Sequence, residues 1–149
     1  MSKEKHTFQH YAPKHKDECL GVLDDNCPEY FAYNERDAYE EFLDSNPQGY
    51  EVCIIEGKIT GVYGLIKEEH NTSRINWIML GPHAHGHGLG SIFVNRAIKR
   101  AKAIDATVIH IATSHKAFKF FEKFNAVIVS EVEDGWGPGM HQVHMEIRL

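Results

Sequence analysis

With 149 residues, 42% of them hydrophobic and 25% charged, the chain has the size and balance of one globular domain able to bury a core without disulfides or a structural metal. A formal net charge of −5, with no dense Lys/Arg footprint, argues against a nucleic-acid partner, and no apolar run is long enough to cross a bilayer. The polar start MSKEKHTFQH and the unclustered Cys19, Cys27 and Cys53 lead to the expectation of a cytoplasmic protein with reduced thiols.

In chain order, HTFQHYAP alternates as a first strand ended by Pro13, and KHKDECLGVLDDN sets Leu20, Val22 and Leu23 in a short helical pattern before the loop NCPEYFAYN. Asn34 with Asp37 three residues on resembles a capping box, and Ala38, Phe42 and Leu43 form an apolar stripe down to the stop at SNPQG. YEVCII and KITGVYGLI read as strands joined by a tight turn at Glu56-Gly57, and Asn71 to Ser73 as a turn. RINWIML is a buried strand. Past Gly90 the period becomes helical from about Ser91: Val94, Ala97, Ile98 and Ala101 share one face, while Asn95, Arg96, Lys99 and Arg100 take the other. TVIHIATS is a buried strand, HKAFKFFEKF a short helix, and NAVIVSEVE and HQVHMEIRL are strands with DGWGPG as the loop between them. The expectation is a single mixed α/β (α+β) domain over residues 1–149 with an antiparallel middle sheet.

The stretch PHAHGHGLGS joins RINWIML to the helix. His83, His85 and His87 at every second position would point one way from a strand and could hold a metal, which would suit hydrolysis or metal storage. Gly86, Gly88 and Gly90 argue against a strand, because interleaved glycines weaken one and let backbone N–H groups approach a ligand. A strand, a glycine loop and a helix start in that order make an anion site. The P-loop pattern fails for want of a Lys, and the dinucleotide pattern fails on context.

The run IMLGP followed by HGHGLG resembles the acyl-CoA signature of the GCN5-related N-acetyltransferases, with His85 at the usual Gln/Arg position and Gly88 and Gly90 as the two fixed glycines. SHKAFKFFEKFNA resembles a second family segment, matching at Ala117, Phe120, Glu122 and Lys123, and GKITGVYGL resembles the hairpin before the signature strand. The resemblance implies a mostly antiparallel central sheet flanked by helices, acetyl-CoA as co-substrate without a metal, and acetyl transfer to a primary amine of a small molecule or peptide. Neither nucleic acid nor membrane would be a partner; a homodimer would be in keeping with the family.

It further implies that Met79 and Leu80 pair with the pantetheine arm and that a backbone N–H near Leu80 serves the oxyanion. The diphosphate would lie on His85, Gly86, His87, Gly88, Leu89, Gly90 and Ser91, with Ser114, Ala117 and Phe121 completing the coenzyme site. Phe121 stands where the family often has the Tyr that protonates the leaving thiolate; water, Ser114 or His115 could supply that proton. A thiol of pKa about 8.5 leaves as free thiolate at pH 7 for on the order of 2 kcal/mol, so the substitution is survivable. Candidates for the base are His115, Tyr33, Tyr30 and Asn76 through water, and the catalytic set is taken as Ser114, His115 and Tyr33. Arg96, Lys99 and Arg100 either reach the coenzyme's 3′-phosphate or form a solvated helix face. Phe121, Asn125 and Ala126 also fit a non-catalytic acyl-CoA-binding module of the same fold.

Overall fold

The computed structural model describes residues 6–27, 29–84 and 88–149. In chain order the elements are β1 (His6–His10), α1 (Lys16–Asp25), α2 (Arg36–Asp44), β2 (Tyr50–Ile55), β3 (Lys58–Glu68), β4 (Thr72–Leu80), α3 (Leu89–Ala103), β5 (Val108–Ser114), α4 (Phe118–Glu122), β6 (Val127–Gly137) and β7 (Met140–Arg148). The strands form one sheet in the order β1-β2-β3-β4-β5-β7-β6. Only β4 and β5 run parallel; every other neighbouring pair is antiparallel. This is the single mixed α/β domain expected from the sequence.

Local chemistry accounts for the hairpins. Glu56 and Gly57 both take positive φ, 51° and 78°, the geometry that matches a two-residue turn to the twist of β2 and β3. The β6–β7 connection departs from expectation. DGWGPG is not a loop, because β6 runs on through Gly137 and only Pro138 and Gly139 turn the chain. An irregularity in pairing between Val132 and Gly137 breaks the alternation by which this part of the strand would have been recognised.

Other boundaries shift for identifiable reasons. β1 ends at His10, before Pro13. α3 begins at Leu89, not Ser91, since Gly88 at φ 75° supplies the left-handed residue ahead of the first turn. On α2 Ala38 is exposed, and the buried stripe is formed by Tyr39 and Leu43 with Phe42 beside them. Asn34 does not cap the helix. The turn leading into α2 is closed by Glu35, whose carboxylate accepts the Ala32 N–H at 2.8 Å, while the Asn34 amide donates to the Trp136 carbonyl at 3.0 Å.

Each face of the sheet carries its own core. Tyr63, Ile75, Phe93, Ala97, Ile111 and Val143 pack on the α3/α4 face, and Leu23, Tyr39, Leu43, Tyr50, Val62 and Met79 on the α1/α2 face. Among the described residues the second cluster contains none from β5, β6 or β7, so that half of the α1/α2 face lies outside the helical cover. Arg96 and Arg100 are turned to the sheet instead of toward a phosphate. Arg96 Nη2 lies 3.1 Å from Glu51 Oε2 with its guanidinium 4.0 Å from the Phe8 ring centre, and Arg100 Nη1 donates to the Tyr63 hydroxyl at 2.9 Å. Lys99 alone of the three is exposed.

Candidate active site

Strands β4 and β5 pair only where Thr72 to Ile75 meet Val108 to Ile111. Past that point Asn76 to Leu80 and Ala112 to Ser114 separate, and the gap opens a cleft of about 700 Å³. The cause lies in β4. Tyr63 on β3 stands opposite two residues, Trp77 and Ile78, because pairing passes from Gly64–Asn76 to Val62–Met79. This bulge places Trp77 at φ 44°, a left-handed conformation costly for a large side chain, and bends the strand away from β5. The displaced Trp77 carbonyl is satisfied from the core: the fully buried Tyr50 hydroxyl donates to it at 2.8 Å and lies 2.8 Å from the Tyr39 hydroxyl. Gly64 lies beneath the Asn76 amide and the Tyr50 ring, where a Cβ would have no room.

On the α3/α4 side the cleft is bounded by Leu80, Gly88, Gly90, Ser91, Ala117 and Phe121. Among the described residues nothing lies within 4 Å of where a Gly88 Cβ would be, so on their side the surface above that residue is open. At Gly90 a Cβ would come within 3.0 Å of the Phe120 ring, so the absent side chain is what lets α4 close on α3. The first-turn N–H groups of a fifteen-residue helix have no intrahelical partner, and these point out of the end that borders the cleft. Leu89 differs from its neighbours in turning its side chain into the core. His85, Gly86 and His87 lie outside the described residues. Among the described residues no group of three or more His, Cys, Asp or Glu is arranged to hold a metal.

The edge of β4 is oriented by its pairing. Gly81 donates its N–H to the Thr60 carbonyl at 2.7 Å, and antiparallel pairs alternate between bonded and non-bonded, so Leu80, opposite Gly61, directs its backbone away from β3. Its carbonyl accepts the Asn26 amide at 2.8 Å, and the same nitrogen donates to Val22 O at 2.8 Å, fastening the end of α1 to the cleft edge. Met79 also lines the cleft, with its side chain in the α1/α2 core. Ser114 is buried there, its hydroxyl accepting the Lys116 N–H at 3.3 Å.

On the opposite side the chamber is walled by Tyr30, Phe31, Trp77 and Trp136, with Gln142 and His144 from β7. Glu35 is the one carboxylate lining the cleft among the described residues, and it is only 6% exposed. Burial pushes its carboxyl up to about 7, against the opposing pull of the Ala32 N–H bond. The sequence reading passed over Glu35. Its signal is the spacing of Ala32 and Glu35, half a capping box whose first member has no side chain to announce it. His144 and Gln142 were likewise legible only as strand residues. Asn76 lines the cleft with its Oδ1 buried and lacking a hydrogen-bond partner.

Two expected catalytic residues lie off the cleft. The Tyr33 side chain is 71% exposed and borders a separate shallow groove with Asn34, Lys116 and Pro138. His115 is committed to β7: its Nδ1 accepts the His141 N–H at 3.2 Å and its N–H donates to the His141 carbonyl at 3.2 Å.

Comparisons with known proteins agree with this geometry. No curated protein sequence matches the chain. Ard1 from Thermoplasma volcanium has a TM-score of 0.81 at 14% identity, covering 97% of this chain and 97% of its own. The ribosomal-protein-S18-alanine N-acetyltransferase from Escherichia coli has a TM-score of 0.78 at 10% identity, covering 97% and 94%. The yncA protein of Salmonella typhimurium, solved with its cofactor acetyl-CoA, has a TM-score of 0.74 at 12% identity, again covering 97% and 94%. At these identities the likeness establishes the fold. The family model for the Acetyltransferase (GNAT) family matches residues 19–126, from within α1 to the residue before β6. That match, over most of the sequence and across both sides of the cleft, makes the chain a member of the GNAT acetyltransferase family.

Proposed function

We propose that this acetyltransferase moves an acetyl group from acetyl-CoA to a primary amine, with the coenzyme on the α3/α4 side of the cleft and the amine on the Glu35 side. The observation that carries the reading is the wedge between β4 and β5, which joins a helix start to a chamber containing a buried carboxylate. Residues Met79 and Leu80 would receive the pantetheine arm. The diphosphate would sit on Gly88, Leu89, Gly90 and Ser91, together with His85, Gly86 and His87, while Ala117 and Phe121 flank the thioester. Open space over Gly88 and the first-turn N–H groups of α3 fit a phosphate group at close range.

An ammonium group entering beside Glu35 is held by its carboxylate and gives up a proton to it. The amine nitrogen then attacks the thioester carbonyl, a C–N bond forms and the C–S bond breaks. The sulfur leaves as thiolate, and the proton that the attacking nitrogen sheds as the amide forms reaches it through water or by way of the Ser114 hydroxyl, since Phe121 has none to give; Glu35 returns its proton to solvent. Glu35 takes the role first considered for His115 and Tyr33, because it lines the chamber and is poised near neutrality.

Calorimetry with acetyl-CoA and a free-thiol assay over an amine panel test the proposal together. Binding at micromolar Kd with amine-dependent thiol release is expected. A second reading, a non-catalytic acyl-CoA-binding module, is favoured by the apolar Phe121 in the cleft; binding without turnover on any amine would select it. Absence of binding would remove both readings.

A further inference from the structure

Building on the acetyl-transfer reading, we infer that the acceptor is a small amine with a single positive charge, carried on an aromatic body. The acceptor half of the cleft is walled by four aromatic side chains, and the fold fixes the orientation of three of them, Phe31, Trp77 and Trp136. Phe31 stacks on Trp77 with ring centres 6.3 Å apart and planes inclined by 18°. The Trp136 indole N–H donates to the Thr113 carbonyl at 2.8 Å, which pins that ring at the end of β5. Rings held in this way present faces and edges to a ligand without the entropy cost of ordering flexible chains.

The charges lining the same cleft are unequal. Against one carboxylate, Glu35, stand two basic side chains: Arg74, paired with Glu68 at 3.1 Å, and Lys123 at the end of α4, its ammonium 5.7 Å from the Phe120 ring centre. A single ammonium finds a partner in Glu35 and ring faces beside it. A second or third ammonium, as in a polyamine or an aminoglycoside, would find no further carboxylate among the described lining residues to offset the cost of leaving water. A polypeptide is disfavoured on different grounds. The segment at Asn34 is tied to Trp136, a wall of the cleft, by a bond of 3.0 Å, a tether that an extended chain leaving by that side would have to displace.

Steady-state kinetics by thiol release, with tryptamine, phenethylamine, spermidine and a tripeptide bearing a free N-terminus, test this directly. The arylalkylamines are expected to exceed spermidine and the tripeptide in kcat/KM by at least about tenfold. Phe31→Leu, which keeps apolar bulk but removes a ring, is expected to raise KM for tryptamine about fivefold to tenfold, the scale of one aromatic contact, and to leave the acetyl-CoA Kd unchanged. Preference for spermidine or the tripeptide, or an aromatic preference that survives in Phe31→Leu, would overturn the inference. Acetyl-CoA binding with no arylalkylamine turned over would also overturn it while leaving the coenzyme reading intact. Loss of acetyl-CoA binding by the wild-type protein would instead strike the transferase reading on which it rests.

Discussion

Asn34 and Trp136, 102 residues apart in sequence, are joined by a hydrogen bond of 3.0 Å from the asparagine amide to the tryptophan carbonyl. The contact is tight. A side chain on Gly137 would bring its Cβ within 2.6 Å of Asn34 Oδ1 and 3.2 Å of the Ala32 Cβ. One bond thus ties the connection between α1 and α2, at the residue before Glu35, to the end of β6, at a ring that walls the cleft. Asn34→Ala is expected to raise KM for the acceptor several-fold and to leave the acetyl-CoA Kd unaltered. Stability should change by no more than about 1 kcal/mol, since the bond is exposed. Calorimetry alongside initial-rate kinetics separates these effects; equal losses for both substrates would count against a role confined to the acceptor side.

Glu35 links pH to folding and, on the proposed mechanism, to turnover. Its carboxyl titrates at about 7 when folded against an ordinary 4.5, so between those values the folded state holds a proton that the unfolded state has released. Stability therefore falls as pH rises from about 4.5 to about 7 and is flat above, a loss on the order of 3 kcal/mol. Glu35→Gln keeps an acceptor for the Ala32 N–H without the ionisation, and is expected to be more stable than wild type at pH 8 by up to that amount. Denaturant unfolding at pH 5 and pH 8 measures the difference.

The same substitution should cost about 10²- to 10⁴-fold in kcat, the usual contribution of a positioned base. Among the described residues the other ionisable side chains lining the cleft are Tyr30, Arg74, Lys123 and His144. In wild type an ascending limb near pH 7 is expected in kcat; it should vanish in Glu35→Gln and persist in His144→Gln. The opposite pattern would transfer the base role to His144.

Gly88→Ala tests the start of α3. At φ 75° a side chain is strained even though the space around it is open, so the variant should lose about 1–2 kcal/mol of stability and weaken acetyl-CoA binding by about tenfold as the helix start shifts. Unchanged affinity with the expected destabilisation would show that the glycine serves only the fold.

Tyr50→Phe removes the hydroxyl that satisfies the Trp77 carbonyl at the bulge. Leaving that carbonyl without its donor and the Tyr39 hydroxyl with the Cys19 thiol alone should cost about 1–3 kcal/mol. Because the bulge sets the separation of β4 from β5, acetyl-CoA affinity should fall as well, though Tyr50 itself does not line the cleft. Thermal unfolding with and without acetyl-CoA measures both terms.

The order of elements was legible because its signals are local. Alternation in YEVCII, the paired left-handed residues at Glu56-Gly57 and the helical period after Gly90 each depend on neighbours within a few positions. Where the pattern was interrupted the reading failed: irregular pairing between Val132 and Gly137 disguised the end of β6, and the exposed Ala38 was mistaken for the position that Tyr39 fills. The glycines before α3 were legible in their spacing, since the left-handed turn at Gly88 is a local matter, whereas the clearance that Gly90 leaves for the Phe120 ring belongs to the packing of α4 on α3.

The acceptor side had no such local mark. Glu35 became distinctive only when folding left it 6% exposed and removed its water, because desolvation is a property of everything that surrounds a group and not of the residues beside it in sequence. Tyr33 and Glu35, two positions apart, were separated in the same way, one left in solvent and the other enclosed. The sequence by itself determined the family, the succession of strands and helices and the glycine-lined helix start. Tertiary structure decided which carboxylate faces the cleft, which aromatic rings wall it and which histidines stay outside, because those are outcomes of long-range packing across the split between β4 and β5.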